Sequence, residues 1–306
     1  MNLRKIYLGV IVVLSMALFY EWNSQNQRLS EIEQLRVAGI EAATSQVTND
    51  GGFVYLENDE LRLKISTSSG SVVESRLKKH GVENVEGSPG VRVFGSSNKS
   101  TFKYYLKTGF TGRASNYVLH SYDNNSVILK TEDGDLTKEF TFLPETYELS
   151  ITDTSLLGSS GKAFAALYRT EGRSLDLKTS WLQGGMMNNS SYQGVAFSTD
   201  QDPYETTRLR SIDESISYLS RSGWVSFIQK YFFAALIGSE NNIYNFFAHP
   251  ADSGVYRMGY TVEKGEASNL VYKHSHRVFV GPKVRKDLAE RAENLEIGRA
   301  SWRERV

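Results

Sequence analysis

The stretch LRLKIS, from Leu61 to Ser66, alternates apolar and polar side chains with a period of two residues. Successive side chains of a β-strand point to opposite faces of the sheet, so this spacing predicts a strand with one buried and one solvated face. The stretch YELSI, from Tyr147 to Ile151, repeats the pattern. Strands that bury a single face are typical of antiparallel sheets.

Short apolar stretches of the same kind recur along the chain, and turn-forming residues such as Asp133-Gly134-Asp135 separate them. The further strand candidates are Tyr117–Leu119, Val127–Lys130, Phe140–Phe142, Phe164–Tyr168, Val195–Ser198, Ile216–Leu219, Tyr231–Ile237, Tyr244–Ala248 and Arg277–Val280. Many short strands with a turn every ten or so residues predict an all-β sandwich, which we place at residues 53–282. We find no fixed period of self-similarity, so we do not predict a propeller or solenoid.

The amino-acid composition excludes several classes of protein function. The 306 residues include 35 basic and 35 acidic side chains and no cysteine. A balanced charge without long runs of one sign does not fit a nucleic-acid binder, so we expect no nucleic-acid partner. The lack of cysteine excludes a disulfide framework, thiolate metal sites and cysteine nucleophiles.

The N-terminal residues have the composition of a membrane anchor. Arg4 and Lys5 precede an uncharged apolar run from Ile6 to Tyr20, and nine Ile, Leu, Val and Phe residues in it favour insertion by about 3 to 5 kcal/mol. We expect residues 1–22 to form a cytoplasmic tip and a transmembrane helix. The side chains that we expect to meet the bilayer are Ile6, Leu8, Val10, Ile11, Val12, Val13, Leu14, Leu18, Phe19 and Trp22.

Charge also predicts the orientation of that helix. The basic residues precede the apolar run, while acidic residues surround Arg28 beyond it, so the positive-inside rule keeps the N-terminus in the cytoplasm and exports the rest. Residues 23–52 are polar and form a tether, partly helical. Two alternatives remain open: cleavage after the small pair Ser15 and Ala17, and a helix buried in a globular core.

A third kind of pattern follows the predicted sandwich. Within Lys283–Leu295, Val284, Leu288, Ala292 and Leu295 fall on one face of a helix, which is therefore amphipathic. It caps the sandwich, lies in the membrane interface, or does both and bridges the two. Residues 296–306, EIGRASWRERV, resemble a translated sequencing-adapter read, so we interpret them as an artefact joined to a truncated gene, with a genuine charged tail as the alternative.

Three ordered motifs resemble the first periplasmic domain of YidC-type bacterial membrane protein insertases. They are YQGVAFSTDQDPYE at Tyr192–Glu205, SGWVSFIQKYFFAALI at Ser222–Ile237 and RVFVGPKVRKDLAERAENL at Arg277–Leu295. Weaker matches lie at Val54–His80 and Leu136–Ile151, so the resemblance extends from about residue 54 to residue 295. The residues that we take as family signatures, with contact roles, are Tyr192, Gly194, Ser198, Tyr204, Gly223, Trp224, Gln229, Tyr231, Phe232, Gly281 and Pro282.

The resemblance implies a periplasmic β-supersandwich of the galactose-mutarotase type, with an uncleaved transmembrane helix before it and a short amphipathic helix after it. It implies the bacterial inner membrane as the location, with the N-terminus cytoplasmic and the main domain periplasmic. The family inserts membrane proteins and assists their folding through a membrane core that is missing here. Implied partners are therefore the lipid bilayer, Sec translocon-associated membrane proteins and, through that missing core, nascent inner-membrane proteins.

We expect neither a cofactor nor catalysis. His274 and His276 share one strand face, which suits a metal or a sugar, but nothing nearby completes a site, and we expect two surface or edge histidines just before a strand. We expect core packing or interface burial of the aromatic run Trp224–Phe233 rather than a carbohydrate platform. The alternative functions are an anchored mutarotase-like carbohydrate-active enzyme and a periplasmic binding module.

Overall fold

The structure, a computed structural model, describes the β-rich part of the chain. It covers residues 52–81, 90–95, 104–113, 115–123, 125–143, 146–156, 161–170, 194–229, 231–239, 242–252, 254–263 and 271–283, together with Ala292 and Leu295. Apart from Gly81 and Gly90, these residues belong to one compact unit, which comprises Val47–His80, Val91–Leu175 and Ser190–Val306. The predicted anchor at 6–20, the tether up to Gly51, the tail at 296–306 and Tyr192 lie outside the described residues.

The described residues form eighteen strands and one short 3-10 helix, Leu209–Ser211. The strands are β1 Phe53–Glu57, β2 Leu61–Ser66, β3 Val72–Gly81, β4 Gly90–Phe94, β5 Tyr104–Phe110, β6 Tyr117–Tyr122, β7 Ser126–Thr131, β8 Leu136–Phe142, β9 Glu148–Ser155, β10 Ala163–Thr170, β11 Gly194–Ser198, β12 Glu205–Arg208, β13 Ile216–Ser220, β14 Trp224–Ile228, β15 Phe232–Ile237, β16 Ile243–Asp252, β17 Val255–Glu263 and β18 Tyr272–Pro282.

The strands assemble into two sheets of nine. The first sheet has the order β1-β2-β3-β5-β10-β17-β16-β13, with β4 added beside β3. The second sheet has the order β12-β11-β14-β15-β18-β9-β8-β7-β6. Neighbouring strands run antiparallel, as β1 does with β2 and β15 with β18. The all-β prediction is therefore confirmed in its coarse form, a sandwich of two antiparallel sheets.

The alternation in the sequence determines which side chains enter the core. In β2, Leu61, Leu63 and Ile65 are buried while Arg62 and Lys64 between them are half-buried. One apolar core receives side chains from both sheets, for example Leu106 and Met258 from the first and Phe140, Phe227 and Val278 from the second. Burying each such side chain stabilises the fold by about 1.5 to 3 kcal/mol, so the core joins the two sheets.

Helical structure is scarce in what the structure describes. No helix there has the length and apolar character that crossing a bilayer requires. Of the predicted amphipathic helix at 283–295, only Lys283, Ala292 and Leu295 are described, and the last two are informative because they pack on the second sheet.

Candidate functional site

The described family-signature residues gather in one part of the molecule. They lie on or beside β12, β11, β14, β15 and β18, which are five consecutive strands of the second sheet. The residues are Gly194, Ser198, Tyr204, Gly223, Trp224, Gln229, Tyr231, Phe232, Gly281 and Pro282. Three motifs that are far apart in the sequence thus form one continuous patch of sheet.

Strand β14 shows why this patch is apolar throughout. All five of its residues, Trp224–Ile228, are buried. Val225 and Phe227 point into the core between the sheets, whereas Trp224 and Ile228 point to the opposite, outer side. Because both faces of the strand are covered, the sequence WVSFI lacks the alternation of a half-solvated strand.

The outer side of these strands carries a second apolar cluster, which we call the outer cluster. Its members are Ala196, Trp224, Ile228, Phe233, Ala235, Ile237, Phe279 and Leu295. Leu295 is 2% exposed, Ala292 packs beside it, and the Leu295 amide donates to the Ala292 carbonyl at 3.3 Å. The described part of the C-terminal end of the segment 283–295 therefore packs on the second sheet.

Two signature glycines make close contacts that a side chain would prevent. Gly223 has a φ of +120°, and a Cβ atom there would lie 2.0 Å from the Ser198 carbonyl oxygen. A Cβ atom on Gly281 would lie 2.8 Å from Cζ of Phe279 and 2.9 Å from Cγ of Tyr147. Both positions therefore need glycine, one for backbone approach and the other for aromatic packing.

The turn between β14 and β15 connects the patch to neighbouring segments. The Gln229 side-chain amide donates to the Val93 carbonyl of β4 at 3.0 Å, which bonds the second sheet to the first. The Lys283 amide donates to the Tyr231 carbonyl at 3.0 Å, which fixes the start of the 283–295 segment. Tyr231 itself is 63% exposed, the largest exposed fraction among the described signature side chains, so it is available to a partner.

A buried polar network lies between the two sheets. Lys138 is fully buried, and its ammonium donates to Oδ1 of Asp153 at 2.5 Å and to the carbonyl and hydroxyl oxygens of Thr108 at 3.0 and 2.5 Å. His276 Nε2 lies 3.3 Å from Asp153 Oδ2, and its Nδ1 is 2.9 Å from the Tyr260 hydroxyl. The network contains one cation, one carboxylate and an imidazole, bridging β8, β9 and β18 of one sheet to β5 and β17 of the other.

The directions of the pKa shifts favour a charged pair of Lys138 and Asp153 beside neutral histidines. Burial lowers the pKa of Lys138 while the Asp153 carboxylate opposes the shift. Burial would raise the pKa of Asp153, but the Lys138 charge and His276 outweigh it and lower that pKa to about 2. Burial and the neighbouring His276 lower the pKa of His274 to about 3, and burial lowers that of His276.

The structure corrects the expectation that the two histidines lie at the surface or at an edge. His274 is 7% exposed, His276 is fully buried, and both belong to β18, which lies between β15 and β9 in the interior of the second sheet. They share the side of β18 that carries Val278 and Val280 into the core. Sequence analysis also missed their partners, Lys138 and Asp153.

The geometry does not present this network to a substrate. Its titratable side chains are at most 7% exposed, and the described residues contain no group of three or more His, Asp and Glu arranged to hold a metal ion. The other described histidines do not join it: His80 lies 3.3 Å from the Tyr147 hydroxyl, and His249 lies 2.8 Å from that of Ser215. The arrangement is therefore suited to bonding the two sheets together.

Comparison with known proteins gives a consistent set of matches. A family model described as the YidC periplasmic domain matches residues 54–297. The membrane protein insertase YidC of Hahella chejuensis is 27% identical over 83% of this chain and 48% of its own length. Those of Shewanella frigidimarina and Coxiella burnetii are 23% and 26% identical, over 90% and 86% of this chain and 53% and 50% of their own lengths. The chain thus spans about half the length of these curated relatives.

Comparison with solved structures gives matches in fold to proteins of low sequence identity. A galactose mutarotase-like protein from Lactobacillus casei is 8% identical, with a TM-score of 0.49, over 76% of this chain and all of its own. A galactose mutarotase related enzyme from Lactobacillus acidophilus is 8% identical, with a TM-score of 0.42, over 74% of this chain and 97% of its own.

Proposed function

Because the chain belongs to the YidC periplasmic domain family, we propose that it supplies the anchor and the periplasmic domain of an insertase for inner-membrane proteins. In this proposal the domain is accessory and non-catalytic, and insertion is carried out by a membrane core outside this chain. The observation that carries the proposal is the match over residues 54–297, within which the three signature motifs meet on one sheet.

The proposed topology follows the sequence. Ile6–Tyr20 would cross the inner membrane with the N-terminus in the cytoplasm, residues 23–52 would tether the domain, and the sandwich at 53–282, of the mutarotase-like supersandwich type, would lie in the periplasm. The charge distribution around the apolar run supports this orientation. Protease added to spheroplasts should digest the sandwich, whereas protease added to intact cells should not reach it.

We further propose that the outer cluster connects the sandwich to the membrane-proximal part of the protein. Leu295 and Ala292 lie at the end of the segment 283–295, and Leu295 is buried against Trp224, Phe233 and their neighbours. Any element that continues from this segment would therefore start from a fixed point on the second sheet. The role proposed for the domain is to position the membrane core through that contact.

The partners in this proposal are the lipid bilayer, Sec translocon-associated membrane proteins and nascent inner-membrane proteins. The last of these would bind the membrane core rather than the sandwich. Tyr231, exposed beside the signature patch, is a suitable site for a photoreactive amino acid. Crosslinking from position 231 in cells should yield adducts with translocon-associated proteins, whereas position 122, where Tyr122 is exposed on the edge strand β6, serves as the control.

A chimaera tests the function directly. Residues 1–295 of this chain, joined to the C-terminal half of the Hahella chejuensis relative, should support growth of cells depleted of their own insertase. In liposomes, the chain without that half should insert a substrate membrane protein no better than empty liposomes. Insertion by this chain alone would contradict the proposal.

The mutarotase-like enzyme finds no support in the described residues. An acid–base pair must reach the substrate, and the histidines and the carboxylate that lie together here are buried between the sheets. A mutarotation assay on the purified chain, with a known mutarotase as reference, provides the corresponding test.

A further inference from the structure

The two sheets do not end level with each other on the side of β1 and β6. Each of these strands is the last of its sheet, and β1 lies across the core from β7, the neighbour of β6, so β6 extends beyond the first sheet. Leu119 and Tyr122 of β6 pair with the core residues Leu129 and Val127, which places them on the inner side of the second sheet. Tyr122 is nevertheless 58% exposed, so that inner side is open beyond β1. We call this open side of the sandwich the β1–β6 edge; it is bordered by Phe53, Tyr55, Glu57, Leu119 and Tyr122.

In the described part of the chain, the outer side of β1 presents main-chain groups without a partner. Hydrogen-bonded and non-bonded residue pairs alternate along an antiparallel ladder. The Thr67 amide donates to the Gly52 carbonyl at 2.8 Å and the Asn58 amide to the Leu61 carbonyl at 3.0 Å, so the even-numbered residues of this segment bond towards β2. The N–H and C=O groups of the odd-numbered residues of β1 therefore point away from β2. These residues are Phe53, Tyr55 and Glu57.

Strand β1 is fixed at both ends, so its edge is ordered before any partner binds. At the start, the Thr67 hydroxyl also donates to the Gly52 carbonyl, at 2.9 Å. At the end, the Asn58 side chain accepts from two amides of the following turn and donates to the Thr146 carbonyl at 2.9 Å. Edge strands are commonly shielded by a bulge, a proline or a lysine, whereas β1 contains neither residue and pairs with β2 in an unbroken register.

The inner side of the edge calls for apolar side chains. Val54 and Leu56 of β1 point into the core and are 3% and 2% exposed. A strand added beside β1 would place every second side chain in line with them, on the side where Leu119 and Tyr122 of β6 lie. Apolar residues at those positions would bury surface against both sheets.

The outer side of the edge carries a cation that a carboxylate could reach. The Lys64 ammonium lies 4.0 Å from the centre of the Phe53 ring and 5.8 Å from that of Tyr55, and its described contacts are with these rings rather than with a carboxylate. Both rings are 40% exposed. An acidic residue opposite Phe53 would therefore lie beside the ammonium, and an aromatic residue opposite Tyr55 would pack on its ring.

We propose that the β1–β6 edge takes up an extended segment of another polypeptide as an added strand beside β1. The segment alternates apolar residues, which enter between β1 and β6, with outward residues that include an aromatic ring and a carboxylate. In strand addition the main-chain hydrogen bonds give affinity, and the alternate side chains give specificity. This inference goes beyond the proposed function, which assigns no partner to this edge.

A synthetic peptide with these features serves as the probe. It has the sequence Lys-Val-Tyr-Val-Glu, flanked by threonines and labelled with a fluorophore. In an antiparallel arrangement its lysine lies opposite Glu57, its tyrosine opposite Tyr55 and its glutamate opposite Phe53. Its two valines then lie opposite Leu56 and Val54, on the inner side. Fluorescence anisotropy with the full chain in detergent measures the Kd, and we expect saturable binding.

Methylation of single peptide amides tests the strand pairing itself. The amide of the peptide's tyrosine faces Tyr55, so its methylation removes a hydrogen bond and should raise the Kd at least about tenfold. The amide of the valine before it faces away from β1, so the same methyl group there should leave the Kd unchanged. Because these changes leave the protein intact, they remain decisive where a variant of the chain does not fold.

Variants of the chain test the donor and the cation. Tyr55→Pro removes an N–H that points away from β2, so it should weaken binding at least about tenfold while β1 stays paired with β2. Lys64→Glu should raise the Kd about fivefold, and a peptide with lysine in place of its glutamate should regain that affinity on this variant. Lys273→Glu makes the same change in charge at an exposed position of β18 and should have no effect.

The lack of cysteine allows a single thiol to report where the peptide binds. A fluorophore on Tyr122→Cys should respond to the peptide, whereas one on Leu219→Cys should not, because Leu219 is 63% exposed on β13 at the other end of the first sheet. No saturable binding, equal Kd values for the two methylated peptides, or equal responses at positions 122 and 219 would each overturn the inference. Circular dichroism of each variant establishes that it is folded.

Discussion

The Lys138 ammonium of β8 donates a hydrogen bond to the main-chain carbonyl of Thr108 in β5 at 3.0 Å. A charged side chain of the second sheet is therefore bonded to the backbone of the first, inside the core. Asp153, directly opposite Lys138 in the register of β8 and β9, supplies the counter-charge. Such a pair stabilises little compared with an apolar core, but removing one of its members leaves an uncompensated buried charge.

Lys138→Met should therefore destabilise the chain by about 3 to 5 kcal/mol, because Asp153 remains buried without its cation. In Lys138→Met/Asp153→Leu both charges are gone, and much of that loss should be recovered. Urea unfolding of the detergent-solubilised chain, followed by circular dichroism, measures both. A single variant as stable as the double variant would contradict this account of the pair.

Acid should weaken the fold through His274. Its pKa in the folded state is lowered to about 3, whereas an unfolded histidine titrates near 6.5. Between these values the unfolded chain binds the additional proton, so the free energy of unfolding falls as the pH is lowered. From pH 7.5 to pH 5 this group alone accounts for about 2 kcal/mol. His274→Phe should flatten the decline in urea midpoint over that range, whereas His120→Phe, at an exposed histidine, should not.

The alternation in the sequence was sufficient to predict the sandwich, and the reason is visible in β8. Its stretch LTKEFTF has the burial pattern of a strand with one solvated face, as does β2. Strands β4, β5, β12, β14 and β17 were missed, and in β14 the reason is that the alternation disappears where both faces of a strand are covered, as its five buried residues show. The amphipathic pattern at 283–295 predicted an apolar face, but the outer cluster that receives Leu295 depends on four strands brought together by folding.

The buried network could have been suspected from residue numbers, because residues an even number of positions apart in a strand lie on the same face of the sheet. Lys138 has the same parity as Leu136, Phe140 and Phe142, all of which are buried. Asp153 has the parity of Leu149 and Ile151, and His276 has that of Val278 and Val280. A titratable residue at an apolar position on each of three strands is a signal of a shared buried site. The pairing order β18-β9-β8, which brings them together, is a property of the fold and cannot be read from any one strand.

Gly223→Ala should be the most damaging glycine substitution of the signature patch. A Cβ atom there would lie 2.0 Å from the Ser198 carbonyl oxygen, so β11 and the start of β14 would have to separate. We expect the free energy of unfolding to fall by more than about 3 kcal/mol, and a decrease of that size indicates a specific structural cause. The matched control is Gly254→Ala, because Gly254 also has a positive φ, +79°, but no atom lies within 4 Å of its Cβ position. The free energy of unfolding of that variant should fall by about 1 kcal/mol from backbone strain alone. Comparable losses in the two variants' urea midpoints would rule out the close approach as the cause.

Leu295→Ala tests whether the outer cluster holds the C-terminal segment on the sandwich. Leu295 is 2% exposed against Trp224, Phe233 and the other members of the cluster, so truncating it removes buried apolar contact and leaves a cavity. The expected cost for a buried leucine is about 2 to 5 kcal/mol.

Because the contact lies at the end of the segment, that cost should appear as local release of residues 283–295 before the sandwich unfolds. Hydrogen exchange should then quicken at residues 283–295 and at the strands of the outer cluster, while β5 and β10 remain protected. Leu219→Ala removes an equal volume from a side chain that is 63% exposed and should change neither exchange pattern nor stability. If exchange at residues 283–295 were as slow in Leu295→Ala as in the parent, the outer cluster would not be what fixes that segment to the second sheet.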